Sequence, residues 1–346
     1  MRAKLTLGQD PRPKQIHHGP QMSWHEFRDE YARLKLTTLH DNTASSSESR
    51  LDVCERIIKP RSLSNMANPV KLERLKSELL AGTEGKKPRS PHTVNSYLNC
   101  LVAAMNWAHS QEWIPKRIKK QEVPADEPDK GRPLTDFEFA RMLKACSVAC
   151  PKDPDSWRYL LQGLWESGLR VGEAMNLSWD IPGTIRIVSL KSGRPAIQIP
   201  GKRQKNRKLQ TIPVTVMCED LLDEHPTQTG WVFNPTMRSG RAGRPGVDAV
   251  SRAISDVGEK ALIVVNDAGK FASAHDLRRS FGQRMADRGV TLRDLQKLMR
   301  HLSFTTTETF YLSDQIEEIG DRINDRLEEP YLGTVVQSKR TWKGAV

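Results

Sequence analysis

A charged, proline-rich stretch near the middle of the sequence most constrains how this chain can fold. Residues 118–132 read IKKQEVPADEPDKGR and lack the regular spacing of apolar side chains that a helix or strand needs for packing. The chain has 346 residues, more than a typical single domain. The sequence therefore predicts two domains, 22–117 and 133–330, joined by the linker 118–132. A flexible basic arm, 1–21, precedes them and a tail, 331–346, follows.

The first predicted domain is entirely helical. Ser23-Trp-His-Glu26 has the spacing of a capping box, and apolar residues follow it at helical intervals. A second helix is expected over 51–58 and a third over 69–80. Ser90-Pro91 is a typical start for a longer helix, since serine caps the end and proline suits the first turn. The stripe expected to be buried in the third helix comprises Val70, Leu72, Leu75 and Leu79.

The second predicted domain is mostly helical with one small antiparallel sheet, which makes the fold class mainly α. Thr135 is expected to cap its first helix, with Phe137, Met142 and Leu143 facing inward. Alternating, isoleucine-rich runs at 185–188, 196–199 and 210–214 are separated by Gly, Lys and Arg, as in short strands joined by turns.

Charge and composition narrow the classes of partner. The formal net charge is +12, and the basic residues recur along the whole chain, which favours a polyanionic partner. No run approaches the roughly 20 apolar residues of a membrane span, and the first 24 residues do not resemble a signal peptide. A cytoplasmic, nucleoid-associated protein without membrane contact is therefore expected. The five cysteines lack the spacing of a zinc site and are expected to be reduced structural thiols.

Cationic residues recur in short segments of the second domain. Arg170 follows Gly168 at the start of what is interpreted as a helix bearing Leu177, where a guanidinium can grip a phosphate. In His275-Asp-Leu-Arg278 the two basic side chains are three residues apart, so they share one face of a helix. Thr291 is predicted to cap a leucine-rich helix that ends at His301, and Tyr311 follows ten residues later.

In this order the segments resemble the boxes of the tyrosine recombinase family, also called phage integrases. That family has an Arg in a Gly-Leu-Arg-x-x-Glu box, a Lys on a β-hairpin, His-x-x-Arg, a His after a leucine-rich helix, and a Tyr. The resemblance covers about 133–330 by motif, and 22–117 resembles the family's core-binding domain by position. Two departures are the longer interval between His301 and Tyr311, by one residue, and Arg300 in place of the common Gly.

Two positions leave alternatives open. The hairpin lysine is assigned to Lys205 by counting back from Thr-Ile-Pro213, with Lys202 as the alternative. Tyr331 is the other nearby tyrosine, but it lacks the threonine-rich segment that precedes Tyr311.

The resemblance implies a reaction and a role for each residue. Tyr311 would attack a DNA phosphodiester and form a 3′-phosphotyrosine, so that strands are rejoined without ATP or metal. His275 would take the tyrosine proton, and Lys205 would protonate the leaving 5′ oxygen. The charge on phosphorus would be stabilised by Arg170, Arg278 and His301, with Glu173 orienting the Arg170 region.

The implied partners are double-stranded DNA and further copies of the chain, assembled as a tetramer on DNA. A helix expected after Tyr311, with an apolar face, would dock on a neighbouring protomer. An accessory directionality factor is a further possible partner. The implied function is site-specific recombination, typical of mobile elements. Its alternatives are a catalytically silent DNA-binding protein of the same fold, or a type IB-like topoisomerase or telomere resolvase.

Overall fold

The computed structural model describes residues 19–82, 87–119, 122–125, 130–203, 208–225, 227–237, 239 and 243–300. The chain divides into two compact units, Met1–Pro128 and Asp129–Val346. Helices predominate in both, and a small sheet lies in the second, which confirms the mainly α fold class. The finer predicted limits of the arm, the two domains, the linker and the tail stay predictions.

The described part of the first unit is helical throughout its regular structure. A short 3-10 turn, Leu36–Thr38, follows the first helix. The helices are α1 (Trp24–Leu34), α2 (Asp41–Ile58), α3 (Leu63–Met66), α4 (Pro69–Ala81) and α5 (Pro91–Ser110).

Side-chain caps at Ser23 and Ser90 fix the predicted starts of α1 and α5. The Ser23 hydroxyl accepts a hydrogen bond from the Glu26 amide (3.2 Å), and the Glu26 carboxylate accepts one from the Ser23 amide (3.1 Å), so the predicted capping box of α1 is confirmed. The predicted start of α5 is confirmed in the same way, since Ser90 caps it and Pro91 occupies its first turn.

Aromatic side chains fill the core of the first unit. Phe27 is completely buried, stacks on Tyr31 with ring centroids 5.6 Å apart, and meets the edge of Trp113. On α4 the predicted stripe is wrong at one position, since Val70 is 76% exposed whereas the three leucines are buried. Val70 is two residues before Leu72, and two residues of a helix turn the side chain by about 200°, onto the opposite face.

The second unit combines helices with short strands. Its described helices are α6 (Asp136–Ala149), α7 (Pro154–Ser167), α8 (Val171–Ala174), α9 (Val216–Asp223), α10 (Val247–Lys260), α11 (Ala274–Asp287) and α12 (Leu292–Met299). Its strands are β1 (Leu177–Ser178), β2 (Ile185–Ser189), β3 (Pro195–Ile199) and β4 (Gln210–Pro213).

The strands form one sheet in the order β1-β2-β3-β4. The three predicted strands pair antiparallel, with Ile187 opposite Ile197 and Ile197 opposite Ile212. The short strand β1 pairs parallel to β2, with Leu177 opposite Ile185, so the sheet is mixed rather than wholly antiparallel. Leu177 therefore lies in a strand, and its assignment to the helix that begins after Arg170 was wrong.

The core of the second unit centres on α7, where Trp157, Leu160 and Leu164 are buried. Thr135 caps α6 as predicted. The inward direction of Phe137 was wrong, because that side chain is 74% exposed and Phe139 is the buried one. Phe139 stacks on Trp165 with ring centroids 4.1 Å apart and planes within 2°.

The helix α12 is attached to α11 through a small separate cluster of Phe281, Leu295 and Met299. Thr291 caps this helix, as the sequence predicts, because its hydroxyl accepts a hydrogen bond from the Asp294 amide. Both helices are thereby fixed at the side of the unit where the predicted site residues occur. Within the part of the chain that the structure describes, no helix has the length and apolar character to cross a membrane.

Candidate active site

The turn that ends α7 is built on a glycine. Gly168 has φ +60°, a left-handed conformation that favours glycine, and it caps α7 by donating its amide to the Leu164 carbonyl. A Cβ at this position would collide with the ring of Phe281. The chain therefore reverses here in close contact with α11, and the carbonyl of Gly168 points toward that helix.

Arg170 occupies the N-cap of the short helix α8. Its amide donates to a carboxylate oxygen of Glu173 (2.8 Å), and its guanidinium Nη1 donates to the other oxygen (3.1 Å). The Arg170 side chain remains 48% exposed. The carboxylate thus binds both the backbone of Arg170 and one end of its guanidinium. The remaining N–H groups of the guanidinium stay accessible.

The helix α11 supplies the next predicted pair. His275 lies in its first turn and is exposed, whereas Arg278 is 3% exposed. Arg278 donates from Nη1 to the Gly168 carbonyl and from Nη2 to the Met299 carbonyl. This side chain therefore joins the turn after α7 to the end of α12.

Asp276, between these two residues, is fully buried. Its carboxylate accepts hydrogen bonds from Arg279 Nη1 (2.5 Å) and from the Ser273 hydroxyl (2.6 Å) and amide (3.0 Å), and Lys270 Nζ lies 3.4 Å away. A buried carboxylate is tolerated when it is paired in this way. Asp276 thereby fixes the start of the helix that bears His275 and Arg278.

Arg300 follows the last residue of α12. It is 9% exposed and has a left-handed backbone, φ +50°. Its Nη2 donates to the same Glu173 carboxylate that holds Arg170. The guanidinium groups of Arg170 and Arg300 therefore share one carboxylate, and the field of Arg278 also reaches it.

The charge of this cluster is strongly positive. Burial by itself would raise the pKa of the Glu173 carboxyl, but the charge of Arg300, the Arg170 amide and the charges of Arg170 and Arg278 together hold that pKa below its ordinary value. The pKa of Arg300 is lowered, chiefly by burial and also by the charge of Arg170, against the charge and hydrogen bond of Glu173. A guanidinium nevertheless stays protonated at neutral pH. Three cations around one anion leave two net positive charges, which suits an anionic ligand.

The pKa of His275 is lowered. Partial desolvation of the ring is the main cause, and the charges of Arg279, Arg278 and Lys270 act in the same direction, against Asp276. The imidazole is therefore neutral at pH 7, the form that accepts a proton.

The structure describes part of the predicted site. It brings Arg170, Glu173 and Arg278 together and places His275 one turn from Arg278 on the same helix. Lys205, His301 and Tyr311 lie outside the described residues, as does the helix expected after Tyr311. The alternative hairpin lysine, Lys202, lies in a 3-10 turn, Gly201–Arg203, and is exposed.

Two residues of the cluster were not assigned a role from the sequence. Asp276 had a signal, since Ser273-x-x-Asp276 has the spacing of a cap and its carboxylate stands among His275, Arg278 and Arg279. Arg300 was recognised as a departure from the family pattern, but its partner Glu173 is 127 positions away in the chain. No group of three or more His, Cys, Asp or Glu side chains is placed to hold a metal ion among the described residues.

A known protein family matches much of the second unit. The model of the phage integrase family matches residues 132–318, more than half of the chain. This chain belongs to the phage integrase family. The match includes every residue that the sequence analysis assigned to catalysis.

Curated relatives and solved structures extend the likeness. The tyrosine recombinase XerA of Pyrococcus furiosus is 26% identical over 69% of this chain and 76% of its own length. The tyrosine recombinase XerC of Pelobacter propionicus is 28% identical over 50% of this chain, and the match covers about half of that relative, 53%. The enzyme class expected from the sequence, a tyrosine-type site-specific DNA recombinase, is confirmed by these relatives.

Among solved structures, a lambda integrase dimer bound to a COC′ core site has a TM-score of 0.64 at 15% identity, covering 84% of this chain and 95% of that chain. A lambda integrase tetramer bound to a Holliday junction has a TM-score of 0.57 at 17% identity, covering 90% of this chain and 84% of that chain. These structures share the fold of this protein.

Proposed function

We propose that this chain cuts and rejoins double-stranded DNA at a specific site through a covalent 3′-phosphotyrosine intermediate on Tyr311. Membership of the family and the order of the sequence boxes support the reaction class. One observation carries the proposal. Arg278 of α11 donates to the Gly168 carbonyl, and Arg170, two residues further along the chain, is held by Glu173, so both guanidinium groups lie on the segment from Gly168 to Glu173.

The cationic cluster suits the chemistry of phosphodiester attack. Negative charge builds on the phosphoryl oxygens in the transition state, and guanidinium groups can donate two hydrogen bonds each to such oxygens. In this proposal Arg170 and Arg278 stabilise that charge and His301 adds a hydrogen bond to a non-bridging oxygen. Arg278 would exchange its bonds to backbone carbonyls for bonds to the phosphate.

Proton transfer is proposed to involve two further groups. His275, neutral at pH 7, accepts the proton of Tyr311, so that the phenolate oxygen forms the bond to phosphorus. Lys205, or in its place Lys202, protonates the 5′ oxygen as its bond to phosphorus breaks. The phosphotyrosine keeps the energy of the broken ester, so rejoining by the reverse step needs neither ATP nor, in this proposal, a metal ion.

The proposed partners are duplex DNA and other copies of the chain. Lambda integrase shares the fold and was crystallised on DNA as a dimer and as a tetramer, which supports a tetramer on DNA here. Truncation after Ser313 would remove the apolar segment that we expect to dock on a neighbouring protomer. We expect the truncated chain to bind a single site while losing synaptic complexes in native gels. An accessory directionality factor and a nucleoid location remain parts of the proposal.

The test uses a suicide DNA substrate, nicked beside the scissile phosphate so that the cleaved fragment diffuses away and the covalent complex accumulates. Tyr311→Phe should keep DNA binding in a gel-shift assay and lose the covalent adduct in denaturing gels. Tyr331→Phe is the matched control and should form the adduct at the rate of the wild-type chain.

Each other result would count against the proposal. An adduct that persists in Tyr311→Phe and disappears in Tyr331→Phe would move the nucleophile. DNA binding with no adduct in the wild-type chain would favour a silent DNA-binding protein. Relaxation of supercoiled DNA without any sequence requirement would favour the topoisomerase alternative.

A further inference from the structure

Arg300 stands in a backbone conformation that ordinarily selects glycine. It caps α12 with φ +50° and ψ +46°, angles that glycine adopts without steric cost. A side chain in the left-handed region costs about 1–2 kcal/mol relative to glycine. The chain therefore has an arginine where glycine would relieve the strain.

The side chain is also expensive to bury. Only 4% of it is exposed, and its Nε has no hydrogen-bond partner in the part of the chain that the structure describes. Nη1 makes a long contact of 3.5 Å with the Leu298 carbonyl, and Nη2 donates to Glu173. A buried cation with an unsatisfied N–H costs free energy, and a buried ion pair often adds little net stability. Stability alone therefore does not account for Arg300, which indicates another purpose.

The geometry of Glu173 shows what that purpose can be. One carboxylate oxygen accepts from both Arg300 and the Arg170 amide, and the other oxygen accepts from Arg170 Nη1. This first oxygen is held by the buried arginine and the Arg170 amide together, so rotation of the carboxylate toward solvent would break both hydrogen bonds. Its second oxygen then fixes one end of the Arg170 guanidinium and leaves the other N–H groups for a ligand.

We propose that Arg300 is a positioning residue of the recombinase, which locks the Glu173 carboxylate so that Arg170 presents its guanidinium to the scissile phosphate. The inference rests on the proposed function and deepens it. Arg300 acts through Glu173 and Arg170 and does not itself touch the phosphate. The end of α12 and the start of α8, far apart in the chain, are thereby tied at the site of reaction.

The test compares Arg300→Gly, Arg300→Lys and Leu262→Gly on the suicide substrate at saturating DNA. Leu262 is the matched control, since it also has a left-handed backbone (φ +54°) in the same unit, but it is 74% exposed and lies outside the cluster. Arg300→Gly should slow adduct formation by roughly ten- to a hundredfold, the cost expected for a misplaced catalytic group. The dissociation constant for DNA should stay within about threefold, since the fold and the other cations remain.

Two further results separate positioning from a structural role. Arg300→Lys keeps a cation beside Glu173 and should recover a large part of the rate. Leu262→Gly should raise the melting temperature by a few degrees and leave the rate unchanged, because it relieves only backbone strain. An Arg300→Gly protein that cleaves at the wild-type rate would overturn the role of Arg300.

A double-mutant cycle of melting temperatures tests the contact between Arg300 and Glu173 without any reaction. Glu173→Gln leaves the Arg300 charge buried without an anion, so it should lower the melting temperature, and adding Arg300→Gly should restore part of the loss. Additive melting temperatures would show that the two side chains are not coupled and would also overturn the inference. A wild-type chain that forms no adduct would refute the proposed function first, and the role of Arg300 with it.

Discussion

Arg278 donates a hydrogen bond from its buried guanidinium to the carbonyl of Gly168, a residue 110 positions earlier in the chain. The contact depends on the left-handed turn at Gly168, which brings the backbone against α11. A glycine conformation is therefore part of how the guanidinium of Arg278 is held near that of Arg170.

Gly168→Ala should destabilise the second unit by about 3 kcal/mol, measured by urea denaturation. Left-handed backbone accounts for about 1 kcal/mol of this, and the collision of the new Cβ with Phe281 for the rest. Gly193→Ala is the control, because Gly193 also has positive φ, +82°, but has open space around it. The control should lose about 1 kcal/mol. Equal losses for the two variants would contradict the close contact with Phe281.

The pH dependence of strand cleavage should reflect His275. Because its pKa lies below the ordinary value of 6.5, the neutral base persists as the pH falls from 8 to 6.5, and adduct formation should decline only below that range. Lys270→Gln removes one of the cations that lower this pKa and should move the acid limb to higher pH.

The control for that shift is Lys297→Gln, an exposed lysine on α12 whose partner is Asp294. It should leave the acid limb in place. A wild-type limb centred above pH 6.5 would be inconsistent with a histidine whose pKa is lowered.

Acid stability should depend on Glu138, which belongs to the capping box of α6. The Glu138 carboxylate accepts hydrogen bonds from Arg132, and these lower its pKa from 4.5 to about 2. Burial opposes this shift, and the Thr135 amide adds to it. The ionised carboxylate therefore stabilises the fold above about pH 4.5, and this stability is lost as the pH falls toward 2. Glu138→Gln should remove on the order of 1–2 kcal/mol at pH 7 and flatten the curve below pH 5. Asp136→Asn, exposed in the same turn, is the control and should cost less stability at pH 7 than Glu138→Gln, because Arg132 pairs with Glu138.

Local signals predicted the starts of helices with a side-chain cap well, and missed the start of α2, whose N-cap residue His40 makes no side-chain cap. The caps at Ser23, Ser90 and Thr135 are short-range hydrogen bonds, so the sequence displays them directly. The helix α2 begins at Asp41, earlier than the expected start at Leu51. Its first residues, 41–50, were not predicted as helical because they are polar and largely exposed. Apolar periodicity cannot reveal a helical segment that packs little. The two-residue strand β1 is likewise too short for any alternating pattern.

The sequence predicted candidate residues for the site, but not the contacts that join them. The order of the boxes predicted Arg170, Glu173, His275 and Arg278 as site residues, and all four lie within the described part of the chain. The sharing of Glu173 by Arg170 and Arg300 joins positions 127 apart, and no local pattern encodes such a pair. Asp276 is a different case, because its partners Ser273, Arg279 and Lys270 lie within six positions of it and the capping pattern was visible in the sequence. Only its complete burial required the folded unit.

The orientation of the helix α6 about its axis can be tested, because Phe137 and Phe139 face opposite directions. Phe139→Ala should destabilise the second unit by about 3–5 kcal/mol, since it empties a buried site and removes the stack on Trp165. Phe137→Ala should change stability by less than about 0.5 kcal/mol, because that ring is mostly in solvent and contacts Arg141 at 5.8 Å. Urea denaturation of both variants measures the difference, and the reverse order would mean that the helix is turned the other way. The sequence alone did not show which of the two phenylalanines faces the core. Phe137 was expected to do so, but Phe139 is the one that is buried.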